Sequence, residues 1–165
     1  MAARWRTKTS WRAKLEDDKD LPRVVEVSQK MREHFGVQTM VITRPRDVDA
    51  AVRKVRKGKL ATVGSLREHL AREHGADTAC PLTTGIFLRI AAEAAEEDRR
   101  AGKKRITPYW RVVKNDGSLN PKYPGGVTGQ TRRLRAEGHS IRAGKGKKPP
   151  RVIDLENART HIFDA

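Results

Sequence analysis

The stretch from residue 66 to residue 100 constrains the fold more than any other. Apolar residues recur there at helical spacing on either side of a break marked by Gly75 and Pro81. Before the break, Leu66 and Leu70 define the inward face of a helix over 66–74, opened by Gly64 or Ser65. Gly75 stops it, because glycine reaches the left-handed conformation that closes a helix without steric cost. After the linker 76–80, Pro81 presets the first turn of another helix, which extends to Arg100. Leu82, Ile86, Ile90 and Ala94 form its i, i+4, i+8 stripe and are predicted to face the core. Two helices joined by a short turn containing glycine make a helix-turn-helix pattern, with the helix after Pro81 as recognition helix.

Upstream, Val48, Ala51, Val52 and Val55 place a helix over 47–55, with Asp47 at the positive end of its dipole and Gly58 beyond its end. The runs 23–27 and 39–43 read as short strands around a helical turn at 28–35. Downstream, Pro108 to Val113 reads as a buried strand and Asn115-Asp116-Gly117-Ser118 as a turn. The loop 120–126 is too rich in proline and glycine to be regular. A last helix over 127–137 ends at Gly138, with Ile141 packing behind it. Residues 144–150 read as a flexible basic linker before a closing segment at 152–163. These textures divide the chain into an N-terminal basic arm with short strands (1–44), a helical domain (45–141) and a basic C-terminal extension (142–165). In the arm, Trp5 and Trp11 lie among Arg4, Arg6, Lys8, Arg12 and Lys14. The favoured reading is that they pin the arm by burying area; the alternative is stacking on bases.

The chain has 165 residues, enough for one ordinary domain with extensions, and its 36 Lys and Arg outnumber 20 Asp and Glu, for a net charge of +16. The sharpest local excess runs from Arg132 to Arg151, where eight basic residues face only Glu137. The natural partner of so cationic a protein is a polyanion, nucleic acid first. No apolar run approaches the roughly 18 residues needed to span a bilayer, and the N-terminal MAARWRTKTSW has no apolar signal core. The expectation is a cytoplasmic protein, associated with the nucleoid in a bacterium. A single cysteine, Cys80, excludes an internal disulfide framework and a cysteine-cluster zinc site. There is no phosphate-loop or dinucleotide fingerprint, and His69 and His74, five apart, do not share a helix face for a metal. No metal or cofactor is expected.

One ordered set of motifs is more specific. Lys57-Gly58-Lys59-Leu60-Ala61-Thr62 precedes a helix; then come Pro108-Tyr109-Trp110-Arg111-Val112-Val113, Asp116-Gly117, Tyr123-Pro124-Gly125-Gly126 and Leu134-Arg135-Ala136-Glu137-Gly138-His139. Over 45–141 the chain resembles the DNA-binding domain of the methylated-DNA–protein cysteine methyltransferases and their alkyltransferase-like relatives. The resemblance implies a mainly α fold: a winged-helix-like helix-turn-helix domain of the alkyltransferase DNA-binding type, here with short N-terminal strands and a basic C-terminal tail. Residues 1–44 are too short for the ribonuclease-H-like domain that precedes this module in the full-length methyltransferases.

The family signature is Pro-Cys-His-Arg-Val-Val; its cysteine accepts an alkyl group, its histidine activates the cysteine through a water, and a glutamate orients the histidine. Here Tyr109 stands at the cysteine position and Trp110 at the histidine position, and only Glu137 remains of that relay. Tyrosine, with an ordinary pKa of about 10, is a poor nucleophile at neutral pH without strong activation. Alkyl transfer through the usual residue is therefore excluded. The family also fills the gap left by an extruded base with an arginine near the start of its recognition helix. Pro81 takes that place here; it starts a helix and can wedge against a base step, but it forms no hydrogen bond to the orphaned partner.

What remains points to binding. Thr83, Thr84 and Gly85 are small residues near a helix N-terminus, where backbone N–H groups approach a phosphate closely, although Gly85 serves close helix packing equally well. Tyr109, Trp110 and Tyr123, with Glu137, either enclose an extruded base or fill the core of a small domain. Phosphate contacts are expected from Arg89, Arg111, Arg132, Arg133 and Arg135, and from Lys145, Lys147 and Lys148 in the tail. The resulting reading is a non-enzymatic protein that binds duplex DNA and senses alkylated or damaged bases, with repair proteins as further partners. Two alternatives stay open. One is an enzyme whose acceptor has moved to Tyr109, or to Cys80 at a helix start that lowers a thiol pKa. The other is an RNA- or ribosome-binding module on the same fold.

Overall fold

In the computed structural model, which describes residues 9–159 and Phe163, the helix that begins at Pro81 is the axis on which the other elements pack. Trp5, with Arg4, Arg6 and Lys8 beside it, lies outside the described residues. In chain order the elements are α1 (Trp11–Glu16), β1 (Arg23–Glu26), α2 (Gln29–Phe35), β2 (Thr39–Ile42), α3 (Pro45–Val52), β3 (Ala61–Thr62), α4 (Val63–Glu73) and β4 (Thr78–Ala79). They continue with α5 (Pro81–Arg100), a 3-10 turn (Tyr109–Arg111), β5 (Val112–Val113), α6 (Gly126–Ala136), β6 (Ile141–Arg142), β7 (Arg151–Val152) and α7 (Leu155–Ala158). The chain is thus mainly helical. Among the described residues, no helix is long and apolar enough to cross a membrane.

Local chemistry sets the start of each key helix. The Thr62 hydroxyl accepts the Ser65 N–H at 3.1 Å while the Ser65 hydroxyl accepts the Thr62 N–H at 3.1 Å, so two otherwise unpaired donors of α4 are satisfied reciprocally. Gly75, at φ 65°, turns the chain out of α4. The linker 76–80 is more than a turn. The Asp77 carboxylate accepts the Gln38 and Thr39 N–H groups at 2.8 and 3.0 Å, and β4 pairs in parallel with β2. With β1 antiparallel to β2, this makes a three-stranded sheet in the order β1-β2-β4.

α5 packs mainly against α1 and α3. Its buried face is Thr84, Phe87, Leu88, Ala91, Ala92, Ala94 and Ala95, with Ile90 at its margin. The expected core stripe is therefore half right: Ile90 and Ala94 are buried, but Leu82 is 71% exposed and Ile86 48% exposed. The reason is steric. Four alanines in the middle of the helix let α1 and α3 approach closely there, and this turns the neighbouring apolar ridge of the first two turns outward.

Residues 9–44, expected to behave as an arm, contribute Leu15 and Val41 to the same core as α3, α4 and α5. The Glu97 carboxylate on α5 accepts the Trp11 and Arg12 N–H groups at the start of α1, both at 2.9 Å, and Arg12 pairs with Asp98. The basic stretch 144–150 is a hairpin turn rather than a flexible linker. β6 and β7 pair antiparallel around it, burying Ile141 and Val152, and the Leu119 N–H donates to the Pro150 carbonyl at 2.9 Å. A Cβ at Gly144 would stand 2.2 Å from the Lys148 carbonyl oxygen, so only glycine closes this turn. His69 is not a free surface residue either; its ring stacks on the buried Phe163 at 4.6 Å.

The rotated face of α5 has a direct consequence for stability. Leu88→Ala is expected to cost about 2–5 kcal/mol, the range for a buried leucine, whereas Leu82→Ala should stay within about 0.5 kcal/mol of the parent. Urea unfolding of the two variants checks this. Equal losses would return Leu82 to the core.

Candidate nucleic-acid interface

The exposed half of α5 carries Pro81, Leu82, Gly85, Ile86 and Arg89. Facing them across a groove of about 630 Å³ are Trp11 and Lys14 of α1 and Lys114, Asn120, Pro121 and Lys122 of the loops around β5. Among the described residues, no Asp or Glu lines this groove. Among the described residues, its four cations, Lys14, Arg89, Lys114 and Lys122, form no ion pair. The Lys14 ammonium instead sits 4.3 Å from the Trp11 ring.

Further along α5 a second cavity, of about 360 Å³, opens between Glu96, Arg99 and Arg100 on one side and Pro124, Gly125, Gly129, Arg132 and Arg133 on the other. Tyr109 forms part of its wall. The glycines make this space. Gly125 is the N-cap of α6 at φ 79°, and a Cβ there would lie 3.4 Å from Gly129 Cα. The buried side chain of Gln130 fixes the loop, accepting the Asn120 N–H at 2.8 Å and donating to the Trp110 carbonyl at 3.0 Å.

Behind this wall the three aromatics fill space rather than enclose it. Tyr109, Trp110 and Tyr123 are all buried; the Tyr109 ring meets Trp110 at 5.3 Å and Tyr123 at 5.2 Å, each edge-on. The Tyr123 hydroxyl donates to the Val112 carbonyl at 3.0 Å. The Tyr109 hydroxyl donates to Glu96 Oε1 at 2.7 Å, and burial, this hydrogen bond and the carboxylate charge push its pKa up, further from ionisation at neutral pH. Glu96 also accepts from Arg133 and Arg99, each at 2.6 Å. Burial raises the Glu96 pKa, but the donors Arg99 and Tyr109 and the charges of Arg133 and Arg99 outweigh it, leaving the carboxyl below its ordinary value. The Arg133 guanidinium lies 4.2 Å from the Trp110 ring.

Glu137 anchors the 3-10 turn through two of its residues. Its Oε1 accepts the Trp110 indole N–H at 3.1 Å. Arg111 clasps the same carboxylate through Nη2 at 2.7 Å and Nε at 3.0 Å, and donates from Nη1 to the Val55 carbonyl at 2.7 Å. Burial raises the Glu137 pKa; hydrogen bonds from Arg111 and Trp110 and the Arg111 charge lower it by more.

The residues expected to meet phosphates thus fall into two groups. Arg89, Arg132, Arg135, Lys145, Lys147 and Lys148 are exposed, as are Pro81 and Gly85. Arg111 and Arg133 are held in internal networks, Thr83 is half-buried and Thr84 is buried. Cys80 is the N-cap of α5 and lines neither cavity. Burial raises its thiol pKa, yet hydrogen bonds from Thr83 and Leu82 and the Arg67 charge bring it below the ordinary value. Sequence reasoning missed Glu96, Lys114, Lys122 and the outward Leu82 and Ile86. For Glu96 a signal existed in the spacing: the small apolar Ala92, four residues before it, shares its side of the helix.

No family model and no curated protein matches the chain. Among solved structures, S. pombe ATL in complex with DNA superposes with a TM-score of 0.50 at 20% identity, over 70% of this chain and 93% of that one. S. pombe Atl1 in complex with damaged DNA containing O6-carboxymethylguanine gives 0.48 at 19% identity, over 70% and 93%. The former similarity shows a shared fold.

Glu96 and Glu137 ionise more readily in the folded chain than in the unfolded one. The stability they contribute is present above the ordinary glutamate value of 4.5 and is lost as pH falls through their lowered folded values. Glu96→Gln should therefore flatten the acid limb of the stability curve below the ordinary glutamate value of 4.5. It should also cost stability at neutral pH, because Arg133 and Arg99 lose their charged partner. Urea midpoints measured from neutral to acid pH check this; an acid limb identical to the parent's would contradict it.

Proposed function

We propose that the protein binds duplex DNA without modifying it and senses alkylated or otherwise damaged bases, in the manner of the alkyltransferase-like proteins. α4 and α5 act as the helix-turn-helix pair of a winged-helix-like domain within 45–141. The observation that carries this reading is the α5 groove: among the described residues it is lined by four cations without ion pairs and by no acid, and a polar cavity lies further along the same helix. Phosphodiesters are the polyanion that such a surface suits. The fold shared with S. pombe ATL, which was solved in complex with DNA, supports the choice of DNA as that polyanion.

In this reading Arg89, Arg132, Arg135 and the hairpin lysines Lys145, Lys147 and Lys148 meet phosphates, while Pro81, Thr83 and Gly85 allow the backbone to approach the duplex. Arg111 and Arg133 act indirectly, by holding the 3-10 turn against α6. An extruded base enters the cavity beside Tyr109, between Arg99 and Arg100 of α5 and the Pro124–Gly125 lip with Arg132 and Arg133 of α6. Trp110, Tyr123 and Glu137 keep that wall rigid. Tyr109 offers the base no nucleophile, because its hydroxyl proton is committed to Glu96 and its ionisation is suppressed.

Titrating a fluorescent duplex across salt concentrations tests the reading. The log–log slope should be about −0.9 per phosphate contacted, and Arg132→Ala should make it shallower by about one unit. A duplex with one alkylated guanine should bind about tenfold more tightly than its unmodified match, given about 1–3 kcal/mol for a stacked base. The intact mass of the protein should not change on incubation with that duplex. Absence of duplex binding at low salt would overturn the proposal.

A further inference from the structure

The outward side of α5 pairs two features that rarely occur together on a cationic surface. Leu82 and Ile86 stand one helical turn apart and are 71% and 48% exposed, in a chain that otherwise buries most of its large aliphatic side chains. Gly85 lies between them with nothing within 4 Å of the position its Cβ would take. Around them are Arg89, Lys114 and Lys122, without ion pairs among the described residues. Exposed apolar side chains rimmed by charge mark a contact surface, and the rim here complements phosphate.

We propose, resting on the DNA-binding reading above, that Leu82 and Ile86 form an apolar wedge that separates a base step of the bound duplex. The missing side chain of Gly85 allows the helix backbone to reach the groove, and the surrounding cations hold the two strands on either side. Aliphatic side chains inserted between base pairs unstack them, at a cost that depends on the step. An aliphatic wedge makes no hydrogen bond to a base edge, so it reads how easily a step opens and ignores which base lies opposite a lesion. Pyrimidine–purine steps, which open most easily, are then the preferred sites, and stiff A-tracts the least favoured.

The experiment uses the full chain and duplexes of equal length and charge, carrying either a central TA step or an A-tract, each with 2-aminopurine at the test step. The expected result is a rise in 2-aminopurine fluorescence on binding and about fivefold or more tighter binding to the TA duplex. The double variant Leu82→Ala/Ile86→Ala should lose the fluorescence rise and bring the two affinities within about twofold, with the salt slope unchanged. Leu82→Met, which keeps an apolar side chain, should retain both properties. Equal affinities and no fluorescence rise with the parent protein would overturn the wedge while leaving DNA binding in place. A double variant that behaves like the parent would also overturn it. No binding of any duplex at low salt would overturn the DNA reading itself.

Discussion

Glu96 is a carboxylate with 5% exposure inside a protein of net charge +16, and the site depends on how it is satisfied. A buried charge without partners costs several kcal/mol or protonates. Glu96 escapes both outcomes by taking donors from three places: Tyr109 in the 3-10 turn, Arg133 on α6 and Arg99 on its own helix. These bonds fix the 3-10 turn and α6 against α5, and so fix the distance across the cavity that lies among them. The neighbouring acids are consumed in the same way. Glu97 caps α1, and Asp98 pairs with Arg12 and Lys103. The acids of the Glu96–Asp98 run are thus spent on internal architecture, and among the described residues the groove on the exposed half of the same helix is lined by apolar groups and cations without an acid.

The same network accounts for the inertness of the Tyr109 hydroxyl. A nucleophile needs a base to take its proton; Glu96 instead accepts a hydrogen bond from Tyr109 while two guanidinium groups keep the carboxylate poorly basic. Glu137 holds the Trp110 indole, and an indole N–H is only a donor. The cavity beside them keeps its glycine-rich lip, Gly125 and Gly129, because the close approach of α6 to its own leading loop demands it.

Much of this was legible in the sequence where local physics decides. Gly75 and Pro81 bracket the break between α4 and α5, and the β-branched runs at 23–27 and 39–43 are strands because their residues suit a pleated, half-buried surface. The phase of the long helix was not legible. Its apolar residues support two overlapping stripes, and the choice between them is made by the alanines that admit α1 and α3, a tertiary effect. The hairpin at 144–150 was hidden for a similar reason: glycine and lysine read as a linker, yet the pairing of Ile141 with Val152 closes the turn from outside it. The fates of Arg111 and Arg133 were equally invisible, since their partners Glu137 and Glu96 lie 26 and 37 residues away.

The central claim is that nucleic acid lies along the outward face of α5 and the adjoining loops. Amide chemical shifts followed during titration with a short duplex test this most directly. The account predicts shifts concentrated in 81–93, 114–133 and the 145–148 turn, with β1, β2 and α2 unperturbed. Shifts centred on the β1-β2-β4 sheet and α2, with α5 silent, would contradict it.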